Sequence, residues 1–191
     1  MNRWFYTQLW RIAPPLIRHY LKKRAVKSPA YLYHWGERFG EPFDRPVQHP
    51  IWVHAVSVGE TRAAQPLVEA LRRHFPDAPL LMTQMTPTGR AAAKELFPDA
   101  QCRYLPYDKP EWVAQFLKEH RPLFGVLMET EIWPNLMHAC ADAHVPLFLA
   151  NARLSEKSQR GYLKIRNLFE PALQTLSGCF AQTAEEAERL H

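Results

Sequence analysis

The sequence predicts an α/β fold whose centre is an open, all-parallel sheet. The chain has 191 residues, 47% of them hydrophobic and 23% charged, which is enough to bury one core. From residue 51 onward, short apolar runs alternate regularly with longer stretches of helix-forming composition. Such alternation, with short connections, requires parallel strands joined by right-handed crossovers. We therefore expect a Rossmann-like sheet covered by helices on both faces.

The predicted strands are apolar runs of four to six residues flanked by turn residues: Ile51–Val56, Leu80–Thr83, Cys102–Leu105, Phe124–Met128, Val145–Ala150 and Gly178–Ala181. The predicted helices are residues 60–74, 88–97, 110–120, 134–143 and 158–176. Three of them have recognisable start signals, namely Thr86-Pro87, Asp108 with Pro110, and Pro134. Ligands of such sheets bind beyond the carboxyl ends of the strands, so polar side chains there are the functional candidates.

The first 27 residues differ in charge from the rest of the chain. They hold seven of the 24 basic side chains and no acid, whereas residues 28–191 carry 17 basic and 19 acidic side chains. On a helical wheel the apolar side chains between Phe5 and Tyr20 share one arc, opposite basic ones. We expect Pro14 and Pro15 to kink or interrupt this helix, which leaves two helical pieces at best. The pattern favours a helix lying in an anionic membrane interface, and the alternative is a helix packed on its own domain.

The predicted organisation has three parts. Residues 1–27 are a basic, membrane-associating segment, and residues 28–50 are a linker that contains three prolines within 41–50. Residues 51–191 form the Rossmann-like domain. No run of about 18 uncharged apolar residues occurs, which disfavours an orthodox membrane-spanning helix.

Several function classes are disfavoured by composition and spacing. The basic excess lies in the N-terminal segment and the body is slightly acidic, so we expect no nucleic-acid partner. Cys102, Cys140 and Cys179 lie far apart, which gives neither a disulfide framework nor a local metal site and indicates a reduced compartment. The nine histidines show no zinc spacing, and the glycine-rich fingerprints of dinucleotide and phosphate loops are missing. We expect no metal and no cofactor.

The first candidate site follows the first strand, where the sequence reads Ser57-Val58-Gly59-Glu60. Glycine permits a tight strand-to-helix turn, and the helix that follows offers free N–H groups to an anionic or hydroxylated ligand. Ser57, Gly59 and Glu60 are therefore candidate site residues. An acid at this position also has an ordinary explanation, because the helix dipole favours negative charge in the first turn.

The second candidate site follows the fourth strand, where Glu129 and Glu131 stand two residues apart before Pro134. Paired carboxylates in a partly buried rim can acquire different pKa values, which acid and base roles require. The alternative is structural: Glu131 caps a helix, and Glu129 pairs with a cation such as Arg153.

Two further strand ends offer polar groups at the same rim. Thr86 and Thr88 follow the second strand, and Asn151 and Arg153 follow the fifth. Their hydroxyl, amide and guanidinium groups suit contacts with a sugar or a phosphate. As turn and cap residues they also need no ligand at all.

Taken together and in order, six motifs make the chain resemble the 3-deoxy-D-manno-octulosonic acid (Kdo) transferases of lipopolysaccharide synthesis. The motifs are Tyr31–Gly40, His54–Glu60, Met85–Gly89, Tyr104–Asp108, Met128–Asn135 and Ala150–Ser155. The resemblance runs from the first residues to the last.

The resemblance implies the N-terminal, acceptor-binding half of a glycosyltransferase B fold. It implies transfer of Kdo from CMP-Kdo to a lipid A precursor (lipid IVA) at the cytoplasmic face of the inner membrane, with inversion of the anomeric centre. Glu60 then corresponds to the general base, and Glu129 to the glutamate that assists the transition state. The C-terminal domain that binds the donor is expected to be absent from this chain.

Two other functions compete with a transferase. A non-catalytic module would bind membranes and acidic glycolipid without turnover. An oxidoreductase dependent on a dinucleotide is disfavoured by the missing glycine fingerprint.

Overall fold

The computed structural model describes residues 1–190, without the side chains of Glu156, Lys157 and Leu190. The predicted domain of residues 51–191 ends at His191, which lies outside the described residues. The sheet has six parallel strands in the order β3-β2-β1-β4-β5-β6, which confirms the predicted Rossmann-like class. The strands are β1 (Ile51–His54), β2 (Leu80–Gln84), β3 (Gln101–Tyr104), β4 (Phe124–Met128), β5 (Leu147–Ala152) and β6 (Gly178–Ala181).

The helices follow the strands as expected, with different boundaries. They are α1 (Arg3–Ala25), α2 (Trp35–Arg38), α3 (Val58–Ala63), α4 (Gln65–His74), α5 (Pro87–Leu96), α6 (Pro110–His120), α7 (Pro134–Asp142), α8 (Glu156–Leu163), α9 (Arg166–Leu173) and α10 (Ala184–Leu190). Two predictions of single helices, 60–74 and 158–176, are wrong, since each range contains two helices. In the first, Pro66 has no N–H for the next helical hydrogen bond. The structure also adds α10, which the sequence patterns did not predict.

Apolar side chains cover both faces of the sheet. Trp52, Leu81 and Leu127 face one core together with Phe116 of α6. The opposite face carries Val53, Met82 and Met128, packed with Val68 of α4 and with Phe97, which directly follows α5. Because β1 lies between β2 and β4, its carboxyl end is the place where the order of the strands reverses.

The N-terminal helix is continuous through Pro14 and Pro15, so the predicted interruption is wrong. The prolines remove two N–H donors, but contacts on both sides of them hold the helix on the domain. Before them, Trp10 stacks on Tyr107 with ring centroids 6.2 Å apart. After them, Leu21 is buried and the Arg18 guanidinium lies 4.7 Å from the Phe39 ring centroid. Tertiary packing therefore outweighs the local cost of the prolines.

The predicted apolar arc of this helix is divided between two environments. The side chains of Tyr6, Trp10 and Ile17 face the domain and are partly buried. The neighbouring stripe is exposed and consists of Phe5, Leu9, Ile12, Leu16 and Tyr20. The interpretation of a helix packed on its own domain is therefore confirmed for one side of α1, and binding of the exposed stripe to a membrane stays a prediction. Within the described residues no helix is long and apolar enough to cross a membrane.

The segment predicted as a linker, residues 28–50, is ordered against the sheet domain. It contains a 3-10 helix (Pro29–Leu32) and α2, and Glu37, Arg38 and Phe39 are buried. Arg38 Nη1 donates to the carbonyl of Met85 (2.9 Å), in the loop after β2. This segment therefore helps to fix one part of the rim where the candidate residues lie.

Candidate active site

Glu60 lies in the first turn of α3, directly beyond β1 and its neighbour β4. The residue is only 8% exposed. The backbone amide of Val56 donates to Oε2 (2.8 Å), and the Ser57 hydroxyl donates to Oε1 (2.9 Å). These bonds fix the orientation of the carboxylate, and each oxygen can still accept from a further donor.

The same geometry also stabilises the start of α3. Ser57 is the N-cap residue, and its Oγ accepts from the Glu60 amide at 3.4 Å. Ser57 and Glu60 stand at the spacing of a capping box, in which an acid at the third helical position reaches back toward the cap. The structural explanation for an acid at this position, stabilisation of a helix start, therefore also holds. Glu60 stabilises a helix start and presents a carboxylate at the rim.

The loop after β2 is tied to the loop after β1 through Thr86. Its Oγ1 donates to the Val56 carbonyl (3.0 Å) and accepts from the amide of Gly89 (3.1 Å), which caps α5. A Cβ on Gly89 would lie 2.9 Å from Thr86 Oγ1 and 3.0 Å from the Val56 oxygen. Glycine is required there because the two loops approach so closely.

Glu129 ends β4 in a left-handed backbone conformation, with φ of 58°. This region is uncommon for a residue with a Cβ, and residues held there cluster at functional sites. The Glu129 amide donates to the Ala150 carbonyl of β5 (2.9 Å). Among the described residues no ion pair joins Glu129 to Arg153, which removes the pairing considered from the sequence.

Glu131 lies in the same loop and does not cap a helix. The N-cap of α7 is Trp133, and Glu131 Oε2 instead accepts from Trp133 Nε1 at 2.7 Å. Trp133 in turn packs edge to face on His54, which is fully buried at the end of β1, with ring centroids 5.8 Å apart. The Glu131 carboxylate is therefore oriented by an indole N–H that is itself held against the end of β1.

The structure brings Glu60, Glu129 and Glu131 close enough to influence one another. Burial raises the pKa of Glu60; the hydrogen bonds from Val56 and Ser57 oppose that rise, and the charge of Glu129 adds to it. Burial likewise raises the pKa of Glu131, with the Trp133 hydrogen bond opposing and the two other carboxylates adding. A raised pKa makes a carboxylate a better proton acceptor near neutral pH. This cluster is the chemically most distinctive feature of the rim.

Residues 33–191 match the family described as 3-deoxy-D-manno-octulosonic-acid transferase (kdotransferase). The chain belongs to the Kdo transferase family. The Kdo transferase of Bordetella pertussis is 41% identical over 200 residues, which cover 100% of this chain and 46% of that protein. The Haemophilus influenzae enzyme of the same name is 40% identical over 169 residues, covering 87% of this chain and 40% of that protein. A probable mitochondrial Kdo transferase of Arabidopsis thaliana is 36% identical over 146 residues, 75% of this chain and 33% of that protein.

This Kdo transferase family chain thus spans less than half the length of these relatives. Every predicted site residue falls within the matched range of residues 33–191, whereas all of α1 precedes it.

The remaining predicted site residues of this Kdo transferase family member are more exposed than Glu60. Asn151 also has a positive φ of 57°, and its Oδ1 accepts from Gln182 Nε2 (2.8 Å). Arg153 and Thr88 are exposed. Gly59 is exposed as well, and a Cβ there would meet only Ser57 Oγ at 3.9 Å, so packing does not require this glycine.

Sequence reasoning missed one buried acid near the site. The sequence predicts that Asp108 marks the start of the helix at Pro110, but the N-cap of α6 is Lys109. Asp108 instead accepts hydrogen bonds from Tyr6 and from the first turn of α7. The only sequence signal for this role is the position of Asp108 directly after a predicted strand, because its hydrogen-bond partners lie far away in sequence. Among residues 1–190 no group of three or more His, Cys, Asp or Glu side chains is arranged to hold a metal ion.

Proposed function

We propose that this chain is the acceptor-binding half of an inverting glycosyltransferase that moves Kdo from CMP-Kdo to the lipid A precursor lipid IVA. The observation that carries the proposal is the oriented, buried Glu60 carboxylate, which lies where the strand order reverses and has a raised pKa. Membership of the Kdo transferase family supports the reaction class.

Glu60 acts as the general base in this proposal. An acceptor hydroxyl has a pKa far above 7, so it needs a positioned base as it attacks the anomeric carbon. The new bond joins the acceptor oxygen to that carbon, the bond to the CMP phosphate breaks on the opposite face, and the proton passes to Glu60. The amide of Val56 and the hydroxyl of Ser57 hold the carboxylate in place, which limits the reorganisation needed at the moment of transfer.

Glu129 supports the developing positive charge of the sugar in the transition state. Its left-handed backbone holds the side chain at the rim at a conformational cost of about 1–3 kcal/mol, and such strain is typical of functional positions. The contacts with substrate are proposed to come from seven other residues of the rim: Ser57, Gly59, Thr86, Thr88, Glu131, Asn151 and Arg153. The hydroxyl, amide and guanidinium groups among them suit the hydroxyls and phosphates of a glycolipid acceptor.

In this proposal the N-terminal helix holds the rim at the cytoplasmic face of the inner membrane. Its exposed stripe includes Phe5, Ile12 and Leu16, which are 58%, 64% and 70% exposed. Lys22, Lys23 and Arg24 follow in the last turn without a neighbouring acid in the helix. Apolar and cationic surfaces side by side favour binding to an anionic membrane surface.

A second candidate function is a module that binds acceptor and membrane without turning substrate over. The capping geometry at the start of α3 favours it, because Glu60 and the N-cap residue Ser57 stabilise that helix start whether or not any reaction takes place. The two functions make different demands on Glu60, since binding alone requires no base.

The test is Kdo transfer from CMP-Kdo to lipid IVA, measured for the chain alone and for a chimera with the second half of the Bordetella pertussis relative. The intact relative serves as the positive control. Transfer by the chimera, absent from the chain alone, supports the acceptor-binding half. Lipid IVA binding by the chain without transfer by a folded chimera favours the binding module.

A further inference from the structure

The buried carboxylate of Asp108 joins two elements that are distant in sequence. It lies in the loop after β3 and is 1% exposed. Its Oδ1 accepts from the amide of Leu136 (2.7 Å), and its Oδ2 accepts from the amide of Asn135 (3.0 Å) and the hydroxyl of Tyr6 (2.8 Å). One carboxylate thus binds both α7 and the N-terminal helix.

On the α7 side, Asp108 supplies the cap that the helix lacks. Trp133, the N-cap residue, makes no side-chain capping bond. The amides that Asp108 accepts from belong to the second and third residues of α7, which have no partner within the helix. A carboxylate at this end also interacts favourably with the helix dipole.

The start of α7 is also the end of the loop that carries the rim carboxylates. Residues 129–133 connect β4 to α7 and hold Glu129 and Glu131. At the β4 end, the Glu129 amide is bonded to the Ala150 carbonyl. At the α7 end, Asp108 holds the backbone directly after Pro134. The carboxylate loop, as we call residues 129–133, is therefore fixed at both ends.

On the α1 side, a second residue of α7 reinforces the same connection. Asn135 Oδ1 accepts from the Thr7 hydroxyl (3.0 Å) and from Arg3 Nε (3.3 Å). Its Nδ2 donates to the Asp108 carbonyl (2.8 Å). Three polar side chains of α1, those of Arg3, Tyr6 and Thr7, thus converge on Asp108 and Asn135 beside the first turn of α7.

We propose that Asp108 is a positioning residue that couples the docking of α1 to the conformation of the carboxylate loop. One carboxylate serves both elements, so release of α1 takes the Tyr6 hydroxyl away from Asp108. Asp108 then holds the start of α7 less firmly, and the carboxylate loop that precedes α7 becomes looser. The coupling is reciprocal by thermodynamic necessity, so a perturbed loop must weaken the docking of α1. The inference rests on the proposed function only for the role of the loop.

The test is amide hydrogen exchange of the full chain, resolved by residue. Tyr6→Phe removes one hydrogen bond to Asp108 and keeps the ring. We expect amide exchange of residues 129–136 to rise about fivefold to tenfold, because losing one hydrogen bond shifts a local opening equilibrium by about that factor. Exchange in strands β1 and β2 should stay unchanged. The matched control is Leu16→Gln, which alters the exposed stripe of α1 away from Asp108 and should leave the loop unchanged.

The reverse direction is tested with Trp133→Phe, which removes the hydrogen bond to Glu131 and leaves the side chains of Asp108 and α1 unaltered. Coupling predicts faster exchange at residues 6–10. The proposal is overturned if Tyr6→Phe accelerates exchange in α1 alone, or equally across the whole sheet. It is also overturned if Trp133→Phe loosens the loop and leaves α1 unchanged. These readouts need no turnover, so their failure leaves the proposed function standing.

Discussion

Arg90 and Glu37 form a bidentate ion pair beneath the rim, with Nη1 to Oε2 at 2.6 Å and Nη2 to Oε1 at 3.0 Å. Both side chains are about nine-tenths buried. The Tyr104 amide also donates to Glu37 (2.7 Å), and Arg90 also donates to the Cys102 carbonyl (3.0 Å). The pair therefore ties α2 and α5 to the edge strand β3.

Removing one member of this pair should destabilise the fold strongly. Glu37→Ala leaves the Arg90 charge buried without its partner, and we expect a loss of about 3–5 kcal/mol in the free energy of unfolding. Urea unfolding measures this. The matched control is Glu170→Ala, which breaks the exposed Arg166–Glu170 pair and should change the midpoint little. Equal effects of the two substitutions would contradict the account of Glu37.

A buried histidine should make stability depend on pH. His120 Nε2 accepts from Arg103 Nη1 and its Nδ1 donates to the Val47 carbonyl, both at 2.9 Å, so the ring is neutral. Burial lowers the pKa of His120 to about 4. A lowered histidine pKa favours the neutral native form, so its contribution is complete above pH 6.5 and is lost as the pH falls toward 4.

His120→Gln should therefore flatten the pH dependence of the unfolding free energy between pH 6.5 and 4, by about 1.4 kcal/mol for each pKa unit of the shift. Urea unfolding at several pH values gives the comparison. Burial also lowers the pKa of His54, to about 3, and raises that of Asp108 to about 7, but both groups are common to the two proteins. Parallel pH curves for the two proteins would contradict the assignment.

The sequence patterns were sufficient for the sheet because strands and helix starts are encoded locally. Thr86 does cap α5, and Pro134 does begin α7. Long-range contacts were not accessible in the same way. The Glu37–Arg90 pair spans 53 residues, and the segment around Glu37 therefore resembled a linker.

The N-terminal helix shows the same limit. Its apolar arc was visible in the sequence, but only packing shows that Trp10 faces the domain while Leu16 faces solvent. The grouping of Glu60, Glu129 and Glu131 followed from the rule that strand ends share one rim. Which neighbour orients each carboxylate, such as Trp133 for Glu131, required the structure.

The exposed stripe of α1 should bind anionic vesicles. Leu16→Gln is expected to weaken binding to phosphatidylglycerol vesicles, and deletion of residues 1–27 to abolish it, because apolar insertion and charge act together. Added salt should weaken binding by the unaltered chain. Co-sedimentation measures this, with Leu163→Gln, another exposed apolar position, as the control. Equal binding to neutral vesicles at high salt would contradict the electrostatic part.

Glu129→Gln should lower Kdo transfer by the chimera by orders of magnitude and leave the melting temperature nearly unchanged. Glu129 is half-buried and no ion pair joins its carboxylate to Arg153 among the described residues, so we expect the neutral, equally large glutamine to leave the fold intact. In the proposed reaction the charge of Glu129 supports the transition state, and glutamine removes that charge. The transfer rate and melting temperature are measured on the same preparation. A matching loss of stability would favour a structural role.

The most direct test of the central claim is the Kdo transfer rate of the chimera carrying Glu60→Gln, measured together with its melting temperature. Glutamine keeps the shape of the side chain but is no base, so we predict a fall in turnover of at least about 10²-fold with acceptor binding nearly unchanged. Glu69→Gln, on the exposed side of α4, is the matched control and should transfer normally. Near-normal turnover by the Glu60 variant, together with a lowered melting temperature, would show that this acid only stabilises the start of α3 and would contradict its assignment as the base.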